Sequence, residues 1–439
     1  MKLDHLKTNP PYVLAGGFLA IILMGTLLLA LPFSHTGELS WLNALFTSTS
    51  AVTVTGLSVE NTANFTLFGQ LVLMFLIQIG GLGFMTFAVY IARRMGAKIG
   101  LFGNAIAQEA LGDVPFNLLL HTARSVLKFA LTFELTAVVI LTCHFYGDLS
   151  FFQALYQSLF YSISAFNNAG FALTDQSLMP YVDDFVVNLV ITGLIIIGGL
   201  GFMVLIDIKN QWRSRKFSLN TKVVVYATLG LNIVAFALFY LLERENPQTL
   251  GSLSETGKVI AAWFQAITPR TAGFNTLDTA ALTDASSLLT MLLMFIGGGS
   301  LSTASGIKIG TFCILLVATQ AYLRKQSSVN LFKHSLPDEL IKKSFALFLT
   351  SLACISFSTF ILLAVEPQFH FLDVLFEVIS ALGTVGLSRG ITAEMSAFGE
   401  IILILLMFIG RVGLLTMIYL IMQPHSSKIK YPKEYIQIG

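Results

Sequence analysis

A glycine-centred segment recurs four times along this chain, each time after a short apolar run and before a long apolar run. The four copies are Ser50–Leu57, Ser164–Phe171, Thr268–Phe274 and Ser380–Leu387. Their glycines, which by subtraction are 114, 103 and 113 residues apart, are Gly56, Gly170, Gly273 and Gly386. A near-regular repeat of this length predicts one structural unit built four times, with the four loops converging on one axis.

The residue composition places this repeat in a membrane. Of the 439 residues, 55% are hydrophobic and only 11% are charged, whereas soluble domains average about 25% charged residues. Several apolar runs are longer than the roughly 20 residues that cross a bilayer. The chain therefore has too little polar surface for a soluble protein of this size, and we predict an all-α polytopic membrane protein.

The first unit has the plan that we predict for all four. An outer helix covers about 12–31, a short helix covers 41–51 after the N-cap Ser40, and an inner helix covers 69–92. The short helix is about 16 Å long at 1.5 Å per residue, which is too short for a core of about 30 Å. It must therefore enter the membrane and turn back, so that the glycine loop returns to the same side.

The other three units are predicted to contain the same elements. Their outer helices are expected at about 126–146, 223–242 and 344–365, their short helices at 151–165, 257–267 and 372–381, and their inner helices at 186–208, within 288–325 and at 401–422. Together the four units predict eight transmembrane helices around a pseudo-fourfold pore. The predicted repeat boundaries are 11–94, 118–213, 222–325 and 341–423, followed by a tail at 424–439.

Basic residues predict the orientation of the chain, because Lys and Arg favour cytoplasmic connections. They concentrate in one set of connections, which includes the end of the first inner helix at Arg93 and Arg94. The opposite connections carry mostly acidic residues, such as Asp175 and Asp278. We therefore expect both termini in the cytoplasm, glycine loops that open to the outside, and an acidic outer face that enriches cations.

A second glycine motif lies in the inner helices, in register with the first. Its leading glycines are Gly80, Gly198, Gly297 and Gly410. They follow the loop glycines by 24, 28, 24 and 24 residues, by subtraction. Two motifs in one register support the fourfold division, although small residues in membrane helices also serve simple close packing.

The glycine loops have the chemistry of a cation filter. The short helices point the negative ends of their dipoles at the loops, glycine lets the backbone turn its carbonyls inward, and carbonyl rings replace the water around K+ in potassium channels. Thr53–Gly56 and Gly383–Gly386 also approach the Thr-Val-Gly core of such filters. Arg270 is expected to point behind the filter, since a charge in the path would repel cations. The predicted K+-binding residues are Thr53, Val54, Thr55, Gly56, Asn167, Asn168, Ala169, Gly170, Arg270, Thr271, Ala272, Gly273, Gly383, Thr384, Val385 and Gly386.

The third inner run is too long for one span. Residues 288–325 would form a straight helix of about 57 Å, and the centre of this run, 297–306, contains four glycines and five other small residues. Helix propensity is poor there, so we predict a break that forms a flexible gate beneath the filter; the alternative is a kink that packs other helices. The predicted gate residues are Gly297, Gly298, Gly299, Ser300, Ser302, Thr303, Ser305 and Gly306.

Arg411 lies midway along the fourth inner helix, far from either end. A guanidinium at membrane depth is costly and normally faces partners inside the bundle. The carbonyls and hydroxyls of 297–306 are the expected partners. We therefore predict that Arg411 holds the gate closed, with a purely structural role at a fixed kink as the alternative.

The chain resembles the Ktr/Trk/HKT superfamily of potassium transporters over nearly its whole length. The resemblance rests on the fourfold plan, the broken third inner helix, Arg411, and the motifs Thr53–Gly56, Asn167–Gly170 and Arg270–Gly273. Eight spans without an extra N-terminal helix pair are most similar to the Ktr-type membrane subunit. In this family, glycine in all four loops is associated with a preference for potassium.

The resemblance implies what such a chain does and with which partners. It implies K+ uptake across the plasma membrane, here a bacterial inner membrane, with K+ as substrate, Na+ as activator and no organic cofactor in the chain. It also implies a homodimer on a cytoplasmic ring of separate regulatory subunits that bind ATP and ADP. The lipid bilayer is the remaining partner, and no nucleic acid is expected.

Two other transport functions remain open from the residues. A less selective sodium and potassium channel of the same fold would carry the same motifs. An alternating-access carrier usually has inverted repeats and intramembrane acids, whereas these repeats are parallel and only Glu134 and Asp207 lie within the spanning runs. An enzyme is not expected, because a catalytic site needs a nucleophile with a base or clustered metal ligands, and the seven histidines stand apart.

Overall fold

The computed structural model describes residues 10–83, 86, 119–421, 432, 434 and 437. The predicted end of the first inner helix with Arg93 and Arg94, both chain termini, and the tail at 424–439 apart from those three positions lie outside the described residues. Within the described residues the chain forms fifteen α-helices and one short hairpin.

The helices follow the predicted order of long, short and long elements. The first eight are α1 (Pro10–Leu29), α2 (Trp41–Thr53), α3 (Leu67–Leu82), α4 (Leu119–Phe145), α5 (Phe151–Phe166), α6 (Phe185–Leu200), α7 (Phe202–Gln211) and α8 (Leu219–Glu243). The others are α9 (Glu255–Ile267), α10 (Asp284–Phe295), α11 (Ile309–Leu323), α12 (Asp338–Val365), α13 (Phe371–Gly383), α14 (Ala397–Val412) and α15 (Leu414–Ile421). The hairpin pairs β1 (Asn330–Leu331) with β2 (His334–Ser335) in antiparallel register.

Four helices, α1, α4, α8 and α12, are long and apolar enough to cross a membrane, and the bent pair α6–α7 is a fifth candidate. Their outward sides carry large apolar side chains; on α4, Leu131, Leu135 and Val139 are 54%, 58% and 63% exposed. A surface of this kind suits lipid rather than water. The chain is therefore a multi-pass membrane protein, while the total of eight spans stays a prediction.

The short helices α2, α5, α9 and α13 are too short to span, and the first three begin at serine N-caps. They contain 13, 16, 13 and 13 residues, which is about 20–24 Å. The predicted N-cap Ser40 accepts a hydrogen bond from the Asn43 amide at 3.0 Å, and Ser254 caps α9 in the same way through Gly257. Each short helix therefore stops inside the molecule, where its last carbonyls face the loop that follows.

The short and inner helices pack in a closed circuit. Each inner helix contacts the short helix of the next unit: α3 packs on α5, α6 on α9, α10 on α13, and α14 back on α2. The last of these contacts joins the end of the described chain to its beginning. Within their own units, α2, α5 and α13 also pack against the inner helices that follow them.

The inner helices are broken in all four units, so the prediction of continuous helices over 69–92, 186–208 and 401–422 is wrong. The helix α3 ends before Gly83, α6 bends by 93° into α7 at Gly201, and α14 gives way to α15 at Gly413. These glycines have φ of 78°, 99° and 100°, a region that only glycine enters at little cost. The third run is interrupted from 296 to 308, between α10 and α11.

Each inner helix begins at a side chain that also holds the outer helix of its unit. The capping residues are Thr66, Asp184, Thr283 and Ser396. Their partners at the ends of the outer helices are the main chain of Phe33 and Ser34 and the side chains of His144, Glu243 and Glu366. These ties set the angle between outer and inner helices at one end of the molecule.

Candidate functional site

The four loop glycines lie next to one another in a ring. A Cβ atom placed on Gly56 would lie 2.4 Å from the Ala169 oxygen of the second loop. The corresponding distances around the ring are 2.8 Å from Gly170 to the Ala272 oxygen, 2.5 Å from Gly273 to the Val385 oxygen, and 2.1 Å from Gly386 to the Thr55 oxygen. Backbone atoms cannot be approached this closely without moving the loop. Each loop therefore needs glycine where the next one touches it, and the fourth loop returns to the first.

All four loops have the same unusual backbone conformation. The residue two places before each glycine has positive φ, which is 58° at Val54, 59° at Asn168, 70° at Thr271 and 47° at Thr384. The loop glycines have φ of 92°, 71°, 76° and 92°. The left-handed region costs a residue with a side chain about 1–2 kcal/mol, so the surrounding structure must hold the loops in place. Strain of this kind concentrates at functional sites.

This conformation turns the amides into the protein and leaves carbonyls around the ring. The N–H before each glycine donates to the end of its own short helix: Thr55 to Ser50 at 2.8 Å, Ala169 to Ser164 at 2.7 Å, Ala272 to Thr268 at 3.0 Å and Val385 to Ser380 at 2.8 Å. Within the described residues, the four carbonyl oxygens before the glycines accept no backbone hydrogen bond. A ring of such oxygens can replace the hydration shell of a cation.

Side chains three places before the loop glycines form hydrogen bonds behind the first two loops. The Thr53 hydroxyl donates to the Thr49 carbonyl at 2.7 Å within α2. The Asn167 amide donates to Oε1 of Gln78 on α3 at 2.7 Å. The fourth loop has Gly383 at this position. The second loop is therefore held by a neighbouring helix, whereas the first is bonded within its own short helix.

The Arg270 guanidinium lies behind the third loop, in the direction that we expected. Nη1 donates to Oδ1 of Asn232 at 3.1 Å, and Nη2 donates to the Thr228 hydroxyl and to the Gly297 carbonyl, both at 3.4 Å. The residue is 7% exposed. Arg270 thus ties the third loop to α8 and to the first residue of the predicted gate, and its charge stays out of the ring.

An acidic cavity opens on one side of the ring. Its volume is about 580 Å³, and all four loop glycines line it. Glu60, Asp175 and Asp278 also line it, and Asn43 on α2 donates to the Glu60 carboxylate at 3.1 Å. Negative charge in a narrow cavity raises the local concentration of cations. This cavity can therefore collect cations directly above the carbonyl ring.

A second cavity, of about 300 Å³, lies near the start of α1, where Leu14 and Phe18 line it. Part of its wall is the segment between α10 and α11, through Ser302, Ser305 and Gly306. The breaks after α3 and α14 contribute Gly83 and Gly413 to the same wall. The predicted gate segment thus faces a space enclosed by the breaks in the inner helices.

The predicted gate segment is held by main-chain hydrogen bonds to the break in the second inner helix. The Gly299 amide donates to the Gly199 carbonyl at 2.8 Å, the Thr303 amide donates to the Gly198 carbonyl at 3.3 Å, and the Phe202 amide donates to Leu301 at 2.9 Å. The segment also bonds to itself, because the Ser302 hydroxyl donates to the Gly299 carbonyl at 2.8 Å. The end of α6 therefore supplies carbonyls that its own bend has left free.

Arg411 joins the gate segment to the first inner helix. Nη1 donates to the Thr303 carbonyl at 2.6 Å and to the Ser305 hydroxyl at 3.2 Å. Nη2 donates to the carbonyls of Gly80 and, at 3.1 Å, Gly81. The contacts with Thr303 and Ser305 lie where we expected partners, while the contact with α3 was not predicted. The sequence did contain a sign of this contact in the glycines that end α3. A helix that stops leaves its last carbonyls without amide partners, and these carbonyls can accept from Arg411.

Lys308 was not predicted to take part in this site. It lines the second cavity together with Arg411, and its Nζ donates to the Ala304 carbonyl at 2.7 Å. Lys308 is the one charged residue in the apolar run between Asp284 and Arg324. A cation inside such a run is a functional signal in its own right.

Comparisons with known proteins agree with this geometry. The TrkH family model, described as a cation transport protein, matches residues 13–430. The Ktr system potassium uptake protein B of Bacillus subtilis (strain 168) is 47% identical over 435 residues, which cover 99% of this chain and 98% of that protein. The potassium/sodium uptake protein NtpJ of Enterococcus hirae is 36% identical over 442 residues, covering 99% and 98%.

A solved structure shows the same fold. The crystal structure of the potassium transporter TrkH from Vibrio parahaemolyticus matches with a TM-score of 0.73, covering 93% of this chain and 85% of that chain at 20% identity. The family match extends over nearly all of the chain, and two relatives match over nearly their full lengths. The chain therefore belongs to the TrkH family of cation transport proteins.

Proposed function

We propose that this chain takes up potassium across the cell membrane, as the membrane subunit of a Ktr-type system. The observation that carries the proposal is the closed ring of four loops, in which each glycine lies against the carbonyl of the next loop. The 47% identity to a protein named as a Ktr potassium uptake protein supports potassium as the substrate. In this function the chain acts as a pathway and not as an enzyme.

The roles of the residues follow from their places around the ring. The segments 53–56, 167–170, 270–273 and 383–386 hold K+ with main-chain oxygens, and the acidic cavity supplies the ion. The segment 297–306 closes the path on the other side, and Arg411 holds it there through Thr303 and Ser305. Opening requires these hydrogen bonds to be exchanged.

The assembly proposed for this chain extends beyond the chain itself. It includes eight spans in four repeats, both termini in the cytoplasm, a homodimer, and a separate nucleotide-binding ring that controls the gate. Sodium acts as an activator. The name of the Bacillus relative, which places it in a system, supports a subunit that works with other proteins.

A second candidate is a channel that passes sodium and potassium with little preference. The name of the Enterococcus relative, a potassium/sodium uptake protein, favours it. Rb+ uptake into proteoliposomes, with K+, Na+ and Li+ as competitors, separates the two candidates. Competition by K+ alone is expected, whereas equal competition by Na+ would favour the second candidate.

Substitution of a ring glycine tests the filter directly. Gly273→Ser puts a side chain against the Val385 carbonyl, so the discrimination between K+ and Na+ should fall by about tenfold or more. Gly230→Ser is the matched control, because nothing lies within 4 Å of a Cβ at Gly230 on α8. Unchanged discrimination in Gly273→Ser would contradict the assignment of the filter.

A further inference from the structure

A buried carboxylate lies directly behind the second loop. Glu134 lies on α4 and is 4% exposed. Its Oε1 accepts a hydrogen bond from Nδ2 of Asn167 at 3.3 Å, and its Oε2 accepts one from Nε2 of Gln78 at 3.2 Å. Asn167 also donates to Oε1 of Gln78 at 2.7 Å. The three side chains form a closed triangle that joins the second loop to α3 and α4.

The hydrogen bonds of this triangle show which of its atoms donate and which accept. Nδ2 of Asn167 faces three oxygens, namely Oε1 of Gln78, Oε1 of Glu134 and the Ile163 carbonyl at 2.9 Å. Rotating the amide would press its oxygen against all three, so the amide nitrogen must be the group that faces them. Both carboxyl oxygens then act as acceptors, as they do in an ionised carboxylate.

The Glu134 carboxylate forms no ion pair with a basic side chain in the part of the chain that the structure describes. The carboxylates paired there are Glu60, Asp184, Glu255 and Asp373. A buried carboxylate without a counter-charge is costly. A cation in the carbonyl ring, to which Ala169 and Gly170 contribute two and three residues after Asn167, would supply such a charge.

The other loops lack this arrangement. The third loop is backed by a cation, Arg270. Glu377 on α13 is fully buried, but its carboxylate accepts hydrogen bonds from Ser388 and Thr392, which follow the fourth loop. Among the described residues, the second loop is therefore the one whose filter residue is bonded to a carboxylate.

We propose that the Glu134 carboxylate provides a fixed negative charge behind the second loop and raises the affinity of the carbonyl ring for the permeating cation. Glu134 is then a positioning residue, because it acts through Asn167 and through its field and does not touch the ion. This inference rests on the proposed function. Coulomb attraction acts over longer distances in the protein interior than in water, so a charge one layer behind the ring still affects an ion in it.

Neutralising Glu134 tests the inference. Glu134→Gln keeps the size of the side chain and removes its charge, so the Rb+ concentration that gives half-maximal uptake into proteoliposomes should rise about three- to tenfold. The maximal rate should change less, since the two amides still hold the loop. Glu245→Gln makes the same chemical change at an exposed site and should leave both values unchanged. Half-maximal uptake at the wild-type concentration in Glu134→Gln would overturn the inference.

A second pair of variants covers the case in which Glu134→Gln does not insert. Glu134→Asp and Glu134→Asn place side chains of equal size at the same site; the Asn side chain lacks the charge and has an amide donor in place of one acceptor oxygen. The Asn variant should need a Rb+ concentration about three- to tenfold higher than the Asp variant does, and equal values would overturn the inference. Absence of Rb+ uptake by the wild-type protein would instead overturn the proposed function, together with this inference.

Discussion

The third inner helix differs from the other three at the point where each meets its own short helix. In the other units, a Cβ on Gly80, Gly198 or Gly410 would lie 2.0, 2.0 and 2.1 Å from a carbonyl oxygen at the end of the short helix. A Cβ on the equivalent Gly297 would lie 1.9 Å from the Ser305 carbonyl oxygen, which belongs to the gate segment of the same unit. In the third unit, the gate segment has therefore taken the place of the short helix.

This difference leaves the segment 297–306 without a short helix of its own unit behind it, as the proposed gating requires. In three units the inner helix packs directly against the backbone of a short helix, so that one helix cannot shift without the other. In the third unit the contact is made by a segment without helical hydrogen bonds, held by isolated contacts such as those from Gly297 to Ile307 at 2.9 Å and from Ile309 to Gly298 at 3.0 Å. Segments held in this way open at lower free energy than helices do.

The largest expected effect comes from adding a methyl group to an inner-helix glycine that lies against a carbonyl oxygen. In Gly410 that carbonyl belongs to the short helix, and in Gly297 it belongs to the gate segment. Gly410→Ala presses a methyl group into the Leu382 carbonyl, so its free energy of unfolding should fall by about 3 kcal/mol. Gly297→Ala should cost about 1 kcal/mol, because the gate segment can give way. Thermal unfolding in detergent measures both. The control Gly193→Ala has open space around its Cβ and should not be destabilised, and equal losses in the first two variants would contradict the difference between the units.

A smaller effect is expected from removing the residue that joins the gate to the first unit. Arg411→Ala loses the hydrogen bonds to Thr303, Ser305 and Gly81. Hydrogen bonds to charged groups contribute about 1.5–3 kcal/mol each, and about 1.4 kcal/mol corresponds to a tenfold change. The net loss of a single such bond should therefore raise resting Rb+ uptake about tenfold or more. Arg411→Lys should have a resting Rb+ uptake between those of the wild type and Arg411→Ala. An ammonium group cannot bond to both the gate segment and α3 as the guanidinium does.

The control for this variant is Arg324→Ala, which removes an exposed arginine at the end of α11 and should leave Rb+ uptake unchanged. If Arg411→Ala had the resting uptake of the wild type, the arginine would have only a structural role and the gate would be held by other contacts.

The smallest effect concerns the ties at the outer ends of the units. Burial acts to raise the pKa of the Glu366 carboxyl, but hydrogen bonds from Ser396 and Gln368 outweigh it, so its pKa lies below the ordinary value. The ionised group therefore stabilises the fold above about pH 4.3, and this contribution is lost as the pH falls through the lowered pKa. The difference in Tm between the wild type and Glu366→Gln should shrink in acid. A difference that stays constant down to about pH 3 would contradict this assignment.

The short helices were predicted closely because their limits are local. The second was expected at 151–165 and is Phe151–Phe166, and the third was expected at 257–267 and is Glu255–Ile267. Caps, apolar runs and the following glycine all lie within a few residues of one another. Gly201 and Gly413 were instead interpreted as small residues inside continuous helices, because a break depends on which distant groups take over the freed carbonyls.

Residue types and spacing along the chain were enough to indicate a membrane protein with four equivalent loops, a glycine requirement in each loop and an interrupted third inner run. These properties arise from hydropathy, helix length and backbone sterics, which act between neighbours in sequence. Three features emerged only from the folded chain: the contacts between each loop glycine and a carbonyl of the next loop, the contact of Arg411 with Gly81 across 330 residues, and the carboxylate of Glu134 behind Asn167. Such contacts depend on how separate helices are placed against one another, and the periodicity of a single helix carries no record of its partner.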